Sequence, residues 1–436
     1  MSHNNKLLII GYVWPEPNSS AAGKRMMQLI ELFQQNQWQI IFASPANLGE
    51  HRHDLGALDI TEQQITVNDS AFDDFIKDLK PDVVIFDRFM MEEQFGWRVA
   101  EHCPKAIRIL NTEDLHSLRD IRHKLLKKRL SAQTAPNLNI DLSTLGLDTP
   151  DQLMPLFATS DLAKREIAAI YRSDLTLMIS EFELQLLLQR FGVAEPFLNY
   201  LPFQFAKGSS TSRVNDGFEQ RDHFISIGNF RHAPNWDAVL WLKQEIWPLI
   251  RQQLPQAQLH IYGAYLPPKA SALHNDQQGF LIKGWVKDAE KVMRQARVCV
   301  APLRFGAGIK GKLADAMRCG TPSVTTLIGS EAMQSHDISW PGAIANQAED
   351  FAQKAIALYG DKTLWHKSQS NGYQLFSQRF LDKTPSEQFW QQLTSIQSNL
   401  QQHRQANFIG AMLNHHHHKS TQYMAQWIEA KNALKT

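Results

Sequence analysis

The sequence predicts an α/β protein of two similar units, each a parallel sheet with helices on both faces, followed by a helical tail. Three observations support this. Short apolar runs alternate with amphipathic stretches along most of the chain, as strands alternate with helices in doubly wound sheets. The alternation stops at one polar segment and then begins again, and strand-like runs end near residue 384. The 436-residue length suffices for two cores, because single cores stop growing at roughly 250–300 residues.

The first unit is predicted from continuous apolar runs, which are typical of strands buried on both faces of a parallel sheet. These predicted strands are 6–12, 39–45, 82–87, 106–110 and 175–180. Amphipathic periodicity predicts helices over 22–36, 92–102, 117–130 and 161–173. We therefore expect a first Rossmann-like domain over residues 1–205.

The second unit follows segment 206–222, which is polar, contains Gly and Ser, lacks periodicity and is predicted to be a linker. Further strands are predicted at 224–228, 258–263, 279–286, 298–303 and 323–327. We expect a second Rossmann-like domain over 223–383. Residues 384–436 have a helical pattern, and by analogy we expect this tail to pack back on the first domain.

Composition restricts the class of protein. A formal net charge of +1 argues against a nucleic-acid binder. Three cysteines in a chain this long do not form a disulfide framework, which favours a reduced, cytoplasmic protein. No apolar run approaches the ~20 residues of a membrane-spanning helix, so any membrane contact is expected to be peripheral, on the inner face.

The loop at 301–322 is the strongest candidate for a ligand site, because ligands bind open α/β sheets at the carboxyl ends of the strands. Its glycines allow close backbone approach, and a helix predicted to begin near Ile309 would present its N-terminus to an anion. Lys310 and Lys312 add charge, although on a helix they would diverge by about 200°. Leu313 stands where a P-loop needs Ser or Thr, which argues against an ATPase. The alternative is a glycine-rich turn with surface lysines.

Two further loops follow predicted strands. In loop 108–122, the carboxylates of Glu113 and Asp114 and the imidazole of His116 either lie together at the cleft edge or belong to a helix cap, with Asp114 or Thr112 as the capping residue. In loop 11–26, the small residues up to Gly23 fit a tight turn against a substrate, and a plain strand-to-helix connection explains them equally well.

Segments 228–242, 282–288 and 301–322 resemble the donor domain of retaining GT-B glycosyltransferases of family 4. NTEDLHSLR and residues 165–183 extend the resemblance to roughly residues 6–380. It implies two domains facing a cleft, with the acceptor on the first and a nucleotide-diphosphate sugar on the second, and neither metal nor cofactor. It implies transfer of a sugar with retention to a glycan or lipid-linked glycan. Two alternatives stay open, a sugar-nucleotide 2-epimerase and a donor-binding protein with impaired catalysis.

The resemblance also implies site residues. It places His116, with Asp114, beside the transferred sugar. The acceptor-side loop carries Ser19, Ser20 and Gly23. The implied donor-binding residues are Gly228, Asn229, Arg231, Gly306, Ala307, Gly308, Ile309, Lys310, Lys312 and Asp315.

Four positions depart from the family pattern. Ala307 stands where family members often have a glutamate, and Asp315 stands where they have a second one. Asn229 and Asn235 replace a common arginine and lysine, with Arg231 or His232 as candidates to take over their contacts.

Two features lie outside these loops. The basic stretch 123–130, with its leucines, fits either peripheral contact with anionic lipid or a solvated helix face. His415–His418 are interpreted as native and as a polar patch, because no carboxylate or cysteine accompanies them. No metal site is predicted.

Overall fold

The computed structural model describes residues 5–132, 140–206 and 217–434, without the side chains of residues 416–418. Two parallel sheets dominate it. The strands of the first are β1 (Lys6–Ile10), β2 (Gln39–Ser44), β3 (Thr61–Gln64), β4 (Val83–Asp87), β5 (Ile107–Asn111), β6 (Leu175–Met178) and β7 (Leu198–Tyr200). The strands of the second are β8 (Asp222–Ile227), β9 (Leu259–Tyr262), β10 (Phe280–Gly284), β11 (Ala296–Ala301), β12 (Ser323–Thr325) and β13 (Gly342–Ile344).

Both sheets have the doubly wound strand order. The first runs β3-β2-β1-β4-β5-β6-β7 and the second β10-β9-β8-β11-β12-β13. In each, the order reverses beside the first strand, between β1 and β4 and between β8 and β11. Such a reversal opens a crevice at the carboxyl ends of the strands. The predicted fold class, two Rossmann-like units with a helical tail, is confirmed.

Three strands were not predicted, and each lies at the edge of its sheet. β3 has the polar sequence TEQQ and no buried residue, while β7 and β13 have three residues each. An edge strand pairs on one side only and needs no continuous apolar run, so the pattern that identifies central strands does not detect it.

Helices cover both faces of each sheet. Around the first sheet lie α1 (Ala21–Gln34), α2 (Ala71–Leu79), α3 (Phe89–His102), α4 (His116–Ser131), α5 (Pro150–Thr159), α6 (Asp161–Arg172) and α7 (Glu181–Arg190). Around the second lie α8 (Ala233–Trp241), α9 (Trp247–Gln253), α10 (Pro268–Ser271), α11 (Ala289–Gln295), α12 (Gly311–Arg318), α13 (Leu327–Ser330), α14 (Ala348–Gly360) and α15 (Lys362–Phe380). Short 3₁₀ turns occupy Gly56–Leu58, Leu142–Leu145, Glu195–Phe197 and Phe218–Gln220, and a π-helical turn, Leu242–Ile246, joins α8 to α9.

The central strand β1 shows why the sheet is buried on both sides. Leu8 and Ile10 enter one hydrophobic cluster, and Leu7 and Ile9 enter another on the opposite face. All four side chains are fully buried, as alternating side-chain directions along a covered strand require.

The chain ends in three helices, α16 (Thr384–Ser398), α17 (Leu400–Gln405) and α18 (Phe408–Ala433), which lie against the first unit. Phe389 and Leu393 of α16 enter the same hydrophobic cluster as Leu7. Arg404 donates hydrogen bonds to both carboxylate oxygens of Asp174, at 2.7 Å each. None of the described helices is both long enough and apolar enough to cross a membrane.

Two sequence features take their places on these helices. The leucines of the basic stretch 123–130 pack against hydrophobic cores, and Leu126 is buried. The exposed part of the stretch is therefore basic and without its leucines, which weakens the lipid-contact interpretation. The histidines 415–418 lie in α18, and the side chains of 416–418 fall outside the described part. Most of the predicted linker, residues 207–216, also lies outside the described residues.

Arg404→Ala should lower the free energy of unfolding by about 3 kcal/mol, because it removes a partner of the buried Asp174 carboxylate. Arg190→Ala is the matched control, since Arg190 pairs with an exposed aspartate, Asp151. That change should cost less than about 1 kcal/mol. Urea unfolding of the two variants measures the difference, and equal losses would contradict the role assigned to Arg404.

Candidate functional site

A cavity of about 1160 Å³ lies between the carboxyl ends of the two sheets and is lined by both units. Every site residue predicted from the sequence lies on its wall. From the first unit these are Ser19, Ser20, Gly23, Asp114 and His116, and from the second Gly228, Asn229, Arg231, Gly306, Ala307, Gly308, Ile309, Lys310, Lys312 and Asp315.

Side chains cross the cleft around this cavity. Lys24 Nζ lies 2.6 Å from Asp315 Oδ2, and Tyr265 donates a hydrogen bond of 2.6 Å to Glu16 Oε1. Deeper in the cleft, the fully buried Arg122 donates to the Gly306 carbonyl oxygen at 2.8 Å and pairs with the carboxylate of Glu331. These contacts hold the two units face to face.

The glycine-rich loop between β11 and α12 differs from the sequence prediction in one respect. The helix begins at Gly311 rather than near Ile309, and Lys310 is its N-cap with an extended backbone, φ −90° and ψ 92°. Lys310 is therefore not a helical residue, and the expected helical divergence of the two lysines does not apply. Gly308 has φ +64°, and a Cβ there would lie 2.9 Å from Asp114 Cβ, so both backbone conformation and space favour glycine.

Both lysines of the loop line the cavity, and Lys310 is buried whereas Lys312 is partly buried. Lys310 Nζ donates to the Gly308 carbonyl oxygen at 2.6 Å, and Lys312 Nζ to Asn235 Oδ1 at 2.7 Å. Burial lowers the pKa of both ammonium groups, that of Lys312 to about 8. The two cations adjoin the start of α12, whose first amide groups receive no side-chain cap. An anion bound here would meet both the lysines and the positive end of the helix.

On the first unit, α4 begins in an unusual way that decides between the two interpretations of loop 108–122. The N-cap is Leu115, and neither Asp114 nor Thr112 caps the helix. Leu115 N–H donates to Glu183 Oε2 at 3.1 Å, and His116 N–H donates to Glu166 Oε1 at 2.8 Å. The cap hypothesis for Asp114 and Thr112 is wrong, because carboxylates from two other helices take that role.

The Asp114 side chain is instead held by charge. It pairs with the Arg119 guanidinium, and its Oδ1 lies 3.4 Å from His116 Nε2. Burial alone would raise the pKa of Asp114, but the positive charge of Arg119 and its hydrogen bond to the carboxylate outweigh burial and hold that pKa well below its usual range. The carboxylate is therefore ionised at neutral pH.

Two imidazoles near Asp114 are neutral. Burial lowers the pKa of His116 to about 4, although Asp114 acts in the opposite direction. Burial likewise lowers the pKa of His232, from the second unit, to about 3. The wall of the cavity here combines one ionised carboxylate with neutral rings that donate and accept hydrogen bonds.

In loop 11–26, two of the three residues selected from the sequence have a structural role. Ser20 caps α1 by accepting from Gly23 N–H at 3.0 Å. A Cβ on Gly23 would lie 2.4 Å from the Glu16 backbone, so the turn requires glycine. Ser19 differs, because its buried hydroxyl has no hydrogen-bond partner in the described part of the chain.

The remaining second-unit residues selected from the sequence also contact neighbouring residues. Asn229 Oδ1 accepts from Arg231 N–H at 2.8 Å, and the Arg231 guanidinium lies 3.5 Å from the Tyr265 ring centre. Asp315 is paired with Lys24 and also with Arg318 at 3.1 Å. Ala307 and Ile309 are buried among apolar side chains, so their backbones are what they offer a ligand.

Sequence reasoning did not select Asp87 or Arg88 of the first-unit wall. Asp87 ends β4 and Arg88 follows it, while Glu113, one of the two carboxylates expected at the cleft edge, follows β5; all three line the cavity. Arg88 and Glu113 have positive φ angles of 71° and 63°, which is uncommon outside glycine. Their position after buried strands was the available signal, and it was weaker than a glycine-rich loop.

Comparison with solved structures identifies the architecture. HepE of Anabaena, in complex with UDP and glucose, superimposes with a TM-score of 0.62 at 14% identity, covering 90% of this chain and 100% of that one. The fold is GT-B. Sucrose-phosphate synthase of Thermosynechococcus elongatus gives 0.62 at 14% identity, covering 90% and 99%. A glycosyltransferase of Rickettsia africae gives 0.61 at 11% identity, covering 91% and 100%.

The sequence comparisons are narrower. Residues 221–361, within the second unit, match the family model described as glycosyl transferases group 1. A search of curated proteins finds no match. The family model therefore covers the glycine-rich loop and the strands around it, while the GT-B likeness extends over the whole cleft.

We expect His116 to remain neutral down to about pH 4, because burial opposes its protonation more strongly than Asp114 favours it. Two-bond ¹H–¹⁵N NMR spectra, recorded between pH 3.5 and 8, measure the titration, and His116→Ala assigns the signal. A His116 ring that titrates between pH 6 and 7 would contradict the electrostatics described for this wall.

Proposed function

We propose that the protein is a glycosyltransferase that moves a sugar, with retention, from a nucleotide-diphosphate sugar to a glycan or lipid-linked glycan. The observation that carries the proposal is the pair of lysines at the start of α12, which line the same cavity as Asp114 and His116 of the other unit. The match of residues 221–361 to glycosyl transferases group 1 supports it, as do neighbours of known structure that bind UDP.

The donor's diphosphate would bind at the glycine-rich loop. Lys310, Lys312 and the uncapped start of α12 supply positive charge there, and we propose that they serve without a metal ion. Gly228 lies beside them, since a Cβ on it would stand 2.7 Å from Lys312 Nζ. The nucleotide would extend from this point along the second unit, towards Asp315 and Arg231.

The transferred sugar would lie between the loop 306–309 and His116. During transfer the bond from the anomeric carbon to the diphosphate oxygen breaks. A bond from that carbon to the acceptor's hydroxyl oxygen forms, and the hydroxyl proton leaves with the diphosphate. Positive charge grows on the sugar while negative charge grows on the diphosphate. The ionised Asp114 would stabilise the first, the lysines the second, and the neutral His116 would orient the sugar or the acceptor by hydrogen bonding.

The double variant Lys310→Ala, Lys312→Ala should weaken UDP and GDP binding by about 100-fold, because hydrogen bonds to charged groups contribute about 1.5–3 kcal/mol each. Lys354→Ala is the control, since Lys354 pairs with Asp350 on α14, outside the cavity. Calorimetry in the presence of EDTA measures the affinities and tests metal independence as well. Unchanged affinities in the double variant would show that the phosphates bind elsewhere.

His116→Ala should lower the rate of donor-sugar hydrolysis, or of transfer, by about 100-fold. The melting temperature should barely change, because Glu166 holds the His116 backbone N–H, which alanine retains. His274→Ala, at a half-exposed histidine outside the cavity, is the matched control.

The measurement uses a panel of UDP- and GDP-sugars, with affinity, rate and melting temperature recorded for each variant. A destabilised but fully active variant would remove His116 from the chemistry. A wild-type protein that binds a donor and turns over none would favour the donor-binding alternative, for which the apolar Ala307 offers a reason.

A further inference from the structure

The first-unit wall carries a second group of polar side chains that the proposed transfer does not use. Asp87 and Asn111 end β4 and β5 and are partners in the register of these parallel strands. The Asn111 amide donates to Glu113 Oε1 at 2.9 Å and approaches Asp87 Oδ1 at 3.4 Å. One buried amide thus joins two carboxyl groups, and both carboxyl residues line the cavity.

The two carboxyl groups share a poorly solvated place. Burial raises the pKa of Asp87, and burial together with the charge of Asp87 raises the pKa of Glu113 to about 8. Two acids held close together in such a place retain one proton between them. The pair therefore offers both a hydrogen-bond donor and several acceptors near neutral pH.

Arginines next to the pair have unused hydrogen-bonding capacity. Arg88 Nε is buried without a hydrogen-bond partner in the described part of the chain, and the nearest Asp87 oxygen is 3.9 Å away. Behind the wall, Arg25 is 1% exposed, and its Nε and Nη2 also have no partner among the described residues. Because buried polar groups are nearly always satisfied, the unpartnered Arg88 Nε on the cavity wall indicates that this part of the wall is built for a ligand.

An apolar surface adjoins the polar one. The Tyr12 ring is 40% exposed, lines the cavity, and lies with its centre 4.9 Å from the Arg88 guanidinium carbon. The Tyr12 backbone N–H donates to Asp87 Oδ2 at 3.3 Å, which ties the ring to the carboxyl pair. A half-exposed ring beside hydrogen-bonding groups fits a molecule with one hydroxyl edge and one C–H face.

We propose that Asp87, Glu113, Arg88 and Tyr12 form the acceptor subsite and that they bind a neutral saccharide unit through neighbouring hydroxyls. This inference rests on the proposed glycosyltransferase function and adds the class of acceptor. The carboxyl groups of Asp87 and Glu113 lie near the guanidinium groups of Arg88 and Arg25, so charges of both signs are present and the site favours an uncharged sugar over a phosphorylated or acidic one. The positive φ angles of Arg88 and Glu113 are strained conformations that bring both residues to the cleft.

The test measures the binding of methyl glycosides, namely methyl α-D-glucopyranoside, methyl α-D-mannopyranoside and methyl β-D-galactopyranoside, by saturation-transfer NMR. The protein is the full chain with UDP present. We expect at least one glycoside to bind the wild type, and Asp87→Asn and Glu113→Gln each to weaken it by about tenfold or more. UDP affinity by calorimetry should stay at the wild-type value in both variants.

Asp82→Asn is the matched control. Asp82 lies just before the first residue of β4, whereas Asp87 is the last residue of that strand, and Asp82 accepts a hydrogen bond from Lys6 N–H at 2.8 Å. This variant should bind UDP and the glycoside like the wild type. Equal glycoside affinity in wild type and both site variants would overturn the subsite. Binding of glucose 6-phosphate in preference to every methyl glycoside would overturn the neutral class. If the wild-type protein did not bind UDP, that result would count against the proposed function itself, independently of the glycoside result.

Discussion

The geometry of the cleft depends on one buried carboxylate, that of Glu183. It accepts the Leu115 N–H of the first unit at 3.1 Å and the Gly308 N–H of the second at 2.5 Å. The same side chain therefore caps the start of α4 and holds the loop that faces it. Together with the hydrogen bond from Arg122 of α4 to the Gly306 carbonyl oxygen, this double contact fixes the position of His116 relative to the glycine-rich loop. Burial raises the pKa of Glu183 to about 8, and the Gly308 N–H opposes that rise.

Glu166 completes the cap of α4. As a result, Asp114 and His116 at the start of this helix present their side chains to the cleft and do not have to cap the helix themselves. Because it holds the backbone of His116 and Ser117, the side chains of loop 108–122 are released from capping. Asp114 can then remain ionised beside Arg119, and His116 can remain neutral. This arrangement requires that Glu166 itself be buried, and burial raises its pKa to about 7. Such concentrations of shifted pKa values are typical of functional sites.

Charge is distributed unequally across the cavity. The second unit contributes the lysines and the start of α12, which suit an anion, together with the neutral His232 ring. The first unit contributes carboxyl groups, Arg88 and the neutral His116 ring, which suit hydroxyls. This division matches a reaction in which a diphosphate departs on one side and a hydroxyl arrives on the other.

The sequence by itself determined the two α/β units, the central strands and the loops that reach the cleft. The spacing of apolar residues and the length of apolar runs are local properties of the chain, so they can be read without the fold. Every residue selected from these loops lies on the cavity wall. The local sequence pattern did not predict strands that pair with a neighbouring strand on one side only, namely the edge strands β3, β7 and β13. It also failed at the start of α12, where Lys310 has an extended backbone and is the N-cap rather than a helical residue.

Only the tertiary structure decided which polar groups form hydrogen bonds with one another. The acids that cap α4 come from 50 and 68 residues further along the chain, so nothing near Asp114 in the sequence could show that it is not a cap. The Asp87–Glu113 pair likewise exists only because β4 and β5 are neighbours in register. Burial then sets the protonation of these groups, and burial depends on the packing of both units around the cleft.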